Sequence, residues 1–225
     1  MDIALHIGDI VIQPTVVNGF LITLALCLLV IAAGSKVKKA DPRLPSKGIV
    51  LFLELLVTGI EGLVKLIVGA ENLHLAPFVG TLGLFLIVAN FSGLLGISPP
   101  TSDFNVTLAL AVFTIGMMWL QGFKAAGVGK TLKGAILGDY PALAPINLIG
   151  EISKPVSLSV RLFGNIMSGG VILGLVYAGA GWAAPIFTPL LHGIFDIFFG
   201  VIQAAVFLML TMIWTQGMID FKNEN

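Results

Sequence analysis

Charge is scarce in this chain. Only 11% of its 225 residues are Asp, Glu, Lys or Arg, and twelve acidic side chains cancel twelve basic ones. A neutral balance leaves no basic footprint for nucleic acid. Cys27 is the single cysteine and lies in an apolar run, which excludes a disulfide framework and a cysteine-held metal. The three histidines, His6, His74 and His192, show no metal-ligand spacing, so no metal and no cofactor is expected. Residues 1–14 lack the basic stretch of a cleaved signal peptide and carry Asp2 and Asp9 instead. No internal repeat of useful length is visible, which withdraws support from an inverted-repeat transporter.

Apolar residues are what the chain has most of, at 57%. That proportion predicts a polytopic membrane protein. Five segments, 15–34, 77–98, 104–123, 145–178 and 186–219, reach the ~20 residues a crossing helix needs. The last two exceed it and are expected to tilt. Segment 48–70 differs, because Glu54, Thr58, Glu61 and Lys65 recur at i, i+4, i+7 and i+11 on one face. That stripe fits a helix lying in the interface.

Positive charge decides the topology. Lys36, Lys38, Lys39, Arg43 and Lys47 follow the first span, and Lys124, Lys130 and Lys133 follow the third. Both groups fall on the cytoplasmic side if 48–70 does not cross. The expected fold is therefore all-α, with five membrane-crossing helices plus one amphipathic surface helix in a single membrane domain, residues 1–225. It comprises an anchor helix (15–34), a surface helix (48–70), a spanning hairpin (77–123) and a tilted hairpin (145–219). The N-terminus lies outside and the C-terminus in the cytoplasm. Pro99 and Pro100 end one helix, and Asp103 or Ser102 can cap the next. Trp119, Trp182 and Trp214 fit interfacial anchors. The run KAAGVGKT at 124–131 lacks the first glycine and the preceding strand of a phosphate-binding loop.

Against this poverty of charge stands Arg161, inside the apolar run LSVRLFGNIMSGGVILGL. A mid-membrane arginine costs roughly 2.5–3.5 kcal/mol on insertion scales, and it keeps its proton at any physiological pH. Glu151, Lys154, Ser157, Arg161, Asn165 and Ser168 are spaced at three or four residues and share one side of a helix, with Asn147 one turn further. The last span returns antiparallel across a turn near Gly181. Gln203 then falls level with Arg161, and His192 and Asp196 sit one turn apart nearer the outer end. Asp103 begins its helix on that same side. An acid on the inner side of the arginine and two on the outer side suit two aqueous half-paths kept apart by a fixed positive charge.

Three stretches carry a resemblance: PINLIGEISKPVSLSVRLFGN at 145–165, SDFNVTLALAVF at 102–113 and IQAAVFLMLT at 202–211. In these the chain resembles subunit a of F-type ATP synthases, the membrane stator of a rotary motor. The resemblance implies that Arg161 is the essential stator arginine facing a ring of c subunits, with Asn165 and Gln203 as its polar companions. It implies that Glu151, with Asn147, lines a cytoplasmic half-channel, and that Asp103 lines an outer one with Asp196, His192 and Ser168. The implied partners are the c ring, peripheral-stalk b subunits, the lipid bilayer and transported H+ or Na+. The chain would carry ions for an enzyme without nucleotide chemistry of its own, in a bacterial plasma membrane. One position departs from the family, which commonly sets an acid–histidine pair in the outer half-channel. Here Gly170 stands nine residues after the arginine and Asp196 seven before Gln203. The rival class is a stand-alone transporter using Arg161 to bind an anion; co-purification with a ring of small hairpin subunits separates the two.

Overall fold

The computed structural model describes residues 5–7, 10–39, 48–138, 140–181 and 184–222. Asp2, Asp9, Arg43, Lys47 and Trp182 lie outside them, as does the side chain of His6. The chain opens with a short antiparallel hairpin, β1 (Leu5–Ile7) and β2 (Ile10–Ile12), with Leu5 opposite Ile12. The described remainder is helical. Five stretches, Pro14–Lys38, Ala70–Leu95, Phe104–Ala126, Pro141–Gly179 and Phe187–Asp220, are long and apolar enough to cross a membrane. They coincide with the five segments expected.

Helix α1 (Pro14–Lys39) is exposed along most of its length, with Phe20 and Ile31 each 69% accessible. Such a surface is stable only in hydrocarbon, where apolar side chains need no cover from protein. Its start is tied to one end of the bundle, where the Asn18 amide donates to the Ser98 carbonyl at 3.1 Å and the Thr15 hydroxyl to Asp103 at 3.1 Å. We call this the Asp103 end. Lys36 and Lys38 therefore emerge at the opposite end. Helix α2 (Ile49–Ile67) follows, with Glu54, Thr58, Glu61 and Lys65 all exposed. Its other side packs Val64 and Val68 against Leu75, Ala76, Val79 and Met212. A 3-10 turn, Ala70–Leu75, leads into α3 (Ala76–Phe91) at the end where Lys36 and Lys38 emerge; there His74 Nε2 meets Gln121 Oε1 at 3.3 Å.

Helix α3 ends at Phe91, and a 3-10 turn, Ser92–Leu95, closes on Gly96 in the left-handed region. Pro99 and Pro100 therefore do not end that helix as expected but lead into the next turn, Pro100–Ser102. Helix α4 (Phe104–Ala126) then starts because the Asp103 carboxylate accepts the Asn105 N–H at 2.8 Å, satisfying a donor the first turn leaves free. This is the centre of the molecule. It packs against both α6 (Ala144–Ala180) and α8 (Phe199–Asp220). Leu86, Ala111, Met118, Leu158, Leu162 and Phe207 fill the shared core. Between α4 and α6 come a short α5 (Val128–Leu132) and a π-helical turn, Lys133–Leu137. Helix α6 has 37 residues and continues through Pro155. At 1.5 Å per residue that is about 55 Å, far beyond the ~30 Å of a bilayer core. Gly181 (φ 50°) ends α6, in the backbone region open to glycine. The return passes through α7 (Ala184–His192) and a second π-helical turn, Gly193–Phe198, before α8.

Trp119 and Trp214 are partly buried against the core: Trp119 pairs with Phe123 at 5.5 Å, and Trp214 lies 5.8 Å from Lys154 Nζ. Gly169 lets α6 close on Phe195 within the hairpin.

Helices approach closely at Gly122, where an added Cβ would stand 2.9 Å from Thr131 and 3.1 Å from Met218. Gly122→Val should lower stability by about 1–3 kcal/mol through overpacking. A drop in the thermal midpoint of the detergent-solubilised chain would report it.

Candidate functional site

Helix α6 divides its residues between two faces. Leu158, Ser159 and Leu162 are fully buried, and the Ser159 hydroxyl meets that of Thr107 at 3.2 Å, joining α6 to α4. Arg161 falls on the other side and is exposed, as are Ser157 and Ser168 along the same line. No described residue gives the guanidinium a hydrogen bond or an ion pair.

The carboxylates that flank it are engaged elsewhere. Glu151 pairs through Oε1 with Lys154, one turn along α6, and its Oε2 is buried without a hydrogen-bond partner. Asp103 caps α4 and holds Thr15. The imidazole of His192 meets Asp196 Oδ2 through Nδ1 at 2.5 Å. Arg161 thus stands between acids that lie toward both ends of the bundle and is neutralised by none of them. Glu151 lies toward the Lys124 end, Asp196 and Asp103 toward the other.

A polar ladder descends from the Asp103 end along α7 and α8. The Tyr177 hydroxyl of α6 meets His192 Nε2 at 3.0 Å, and His192 passes the contact to Asp196. Asp196 lies in the π-helical turn and faces Gly93, where an added Cβ would be 3.7 Å from Oδ2. Below it two amides converge on successive carbonyls of α8. Asn165 donates to Phe199 at 3.4 Å and Asn90 to Gly200 at 3.0 Å, while Asn90 Oδ1 accepts the Thr101 hydroxyl at 3.2 Å. A widened turn displaces the backbone ladder that follows it, and side-chain donors are the usual compensation. Gln203 comes next. It is 7% exposed, and its Nε2 has no acceptor among the described residues.

His192 and Asp196 meet one turn apart, as their spacing predicts, and Asn165 bonds the Phe199 carbonyl one turn before Gln203. The structure sets Asn147 apart, in a bond from its amide to the Ile136 carbonyl at 3.2 Å that fastens the inter-helix loop. Ser168 is exposed and forms no hydrogen bond with a described residue. Gly170 is open, with nothing within 4 Å of an added Cβ. Sequence reasoning missed Asn90, Thr101 and Tyr177. For Asn90 a signal existed: a single amide late in an apolar span, where polar groups are expensive.

A bundle of membrane-length helices that turns an unpaired permanent cation outward, with carboxylates toward either end, is the arrangement of a membrane protein that moves ions. Residues 16–216 match the family described as ATP synthase A chain. The chain is 33% identical over 216 residues to ATP synthase subunit a of Syntrophobacter fumaroxidans, covering 95% of this chain and 87% of that one. It is 36% identical over 200 residues to ATP synthase subunit a 3 of Pelobacter propionicus, covering 88% and 84%. A Propionigenium modestum protein named ATP synthase subunit a, sodium ion specific, is 37% identical over 185 residues, covering 75% and 62%. This chain belongs to the ATP synthase A chain family. It is a multi-pass, ion-translocating membrane subunit of that complex, outside its catalytic part.

Proposed function

We propose that this chain provides two offset half-channels on either side of Arg161 and works against a ring of c subunits, held in place by peripheral-stalk b subunits. Asp103, Asp196, His192 and Ser168 belong to the outer half-channel. Glu151 and Asn147 belong to the cytoplasmic one, and Asn165 and Gln203 accompany the arginine. The setting is a bacterial plasma membrane with the N-terminus outside and the C-terminus inside, because Lys36, Lys38, Lys124, Lys130 and Lys133 then share the cytoplasmic side. Helix α2 lies along that surface, since α1 ends and α3 begins at the same end of the bundle.

An ion admitted past Asp196 neutralises a rotor carboxylate, which can then turn through lipid at little cost. A bare carboxylate there is expensive. After nearly a full turn the ion leaves by the path near Glu151. The recharged carboxylate passes Arg161, which pairs with it and bars a direct leak. Each charge crossing 100 mV supplies about 2.3 kcal/mol to rotation.

The single observation that carries this reading is that Arg161 is exposed and unpaired while Glu151, Asp103 and Asp196 have other partners. An arginine left so in an apolar span needs a carboxylate from another molecule. In a Cys27→Ser background, a cysteine at Ser157 or Ser168 should cross-link to one beside the rotor carboxylate, while Leu158→Cys on the buried side should not. Equal yields from the two faces would refute the docking.

A further inference from the structure

We infer that Tyr177 and His192 determine the specificity of the outer half-channel, making Asp196 accessible to protons and closed to sodium ions. The inference rests on the reading of Asp196 as part of that path.

The three side chains form one directed contact. Tyr177 Oη lies 3.0 Å from His192 Nε2, and His192 Nδ1 lies 2.5 Å from Asp196 Oδ2. A phenol hydroxyl donating to Nε2 leaves that nitrogen as acceptor, which places the ring proton on Nδ1. An N–H then points at the carboxylate oxygen. A protonated imidazole points the same N–H at it, so the oxygen faces a donor in either state. The side chains are 29% exposed at His192 and 20% at Asp196, so neither is sealed inside the subunit.

A cation needs what this donor occupies. A hard cation is bound by several converging oxygen lone pairs. Asp196 offers two oxygens, and one already accepts a hydrogen bond from a group that repels positive charge. The facing element contributes Gly93, which has no side-chain oxygen. No lysine, arginine or second carboxylate among the described residues pairs with Asp196. A proton needs only a lone pair and a hydrogen-bonded route, and Tyr177 and His192 leave both available. The imidazole thus acts as a filter on the carboxylate. Tyr177 reaches it from α6 across the Gly181 turn and fixes the ring's orientation.

The test uses the whole ATP synthase reconstituted in vesicles, with ATP synthesis driven by an imposed pH gradient and potential while sodium chloride is varied at fixed pH. Choline chloride keeps the ionic strength constant. The wild-type rate should change less than twofold across a hundredfold range of sodium. In His192→Ala the carboxylate loses its donor, sodium occupies it, and the rate should fall severalfold as sodium rises. Tyr177→Phe frees the imidazole and should show a smaller inhibition of the same kind. A merely structural role for either residue would lower the rate equally at every sodium concentration, and that outcome would overturn the proposal. So would synthesis by the wild type driven by a sodium gradient alone. Arg161→Ala is run alongside: loss of coupling there with no sodium effect in the other variants defeats only the filter, whereas retained coupling defeats the stator reading itself.

Discussion

Replacing Arg161 by alanine should reduce ATP synthesis by two to three orders of magnitude while leaving the complex assembled. The guanidinium is exposed, and no described side chain packs its charge into a pair, so its removal breaks nothing inside the subunit. On the proposed reading, what it breaks is a contact made with the rotor. Removing one member of a desolvated charge pair costs about 3–5 kcal/mol. At ~1.4 kcal/mol per factor of ten, that corresponds to at least about a hundredfold in the rate of passing the rotor carboxylate. Arg161→Lys keeps the charge but replaces a planar fork by a point donor, and should recover under about a tenth of the lost rate. The barrier between the half-channels goes with the guanidinium, so passive ion leak should rise in the alanine variant. Synthesis and leak are measured in the same vesicles, and co-purification of the ring reports assembly. Coupled synthesis within a few-fold of wild type would end the assignment.

That prediction could be written from the sequence because intramembrane charge is costly and three- and four-residue spacing fixes a helix face. Apolar length recovered the five spans, capping chemistry the α4 start at Asp103, and the same residue spacing the set-apart polar stripe of α2. They failed where tertiary packing chooses. Nothing in GIFDIF announces the π-helical turn that re-aims Asp196, and the amides of Asn90 and Asn165 meet α8 beyond it only because three helices converge there. Tyr177 reads as one more apolar residue near a helix end until the hairpin folds it onto His192. Glu151 pairs with Lys154 within α6, a contact their three-residue spacing already allows; only the approach of Lys154 to Trp214 needs α8.

Asp196→Asn should slow ion flux on the order of tenfold, less than the ~10²–10⁴-fold a positioned proton carrier supplies, because His192 and Tyr177 remain to line the path. Asparagine is nearly isosteric, and its amide oxygen can still accept the His192 N–H, so the π-helical turn and the ring contact should survive. Only the capacity to carry a charge and a proton is removed. Flux is read as ATP-driven acidification of inverted vesicles, with ring co-purification as the check on assembly. On the proposed reading the lost carboxylate can be resupplied from Gly170, nine residues after Arg161, where an added Cβ meets nothing within 4 Å. Gly170→Glu in the Asp196→Asn background should therefore return part of the flux, whereas Gly170→Gln should not. If Asp196→Asn alone leaves flux unchanged, the carboxylate is an anchor for His192 and the outer path runs by way of Asn90 and Gln203. A normal rate in the single variant and a reduced one in Asn90→Leu would identify that route.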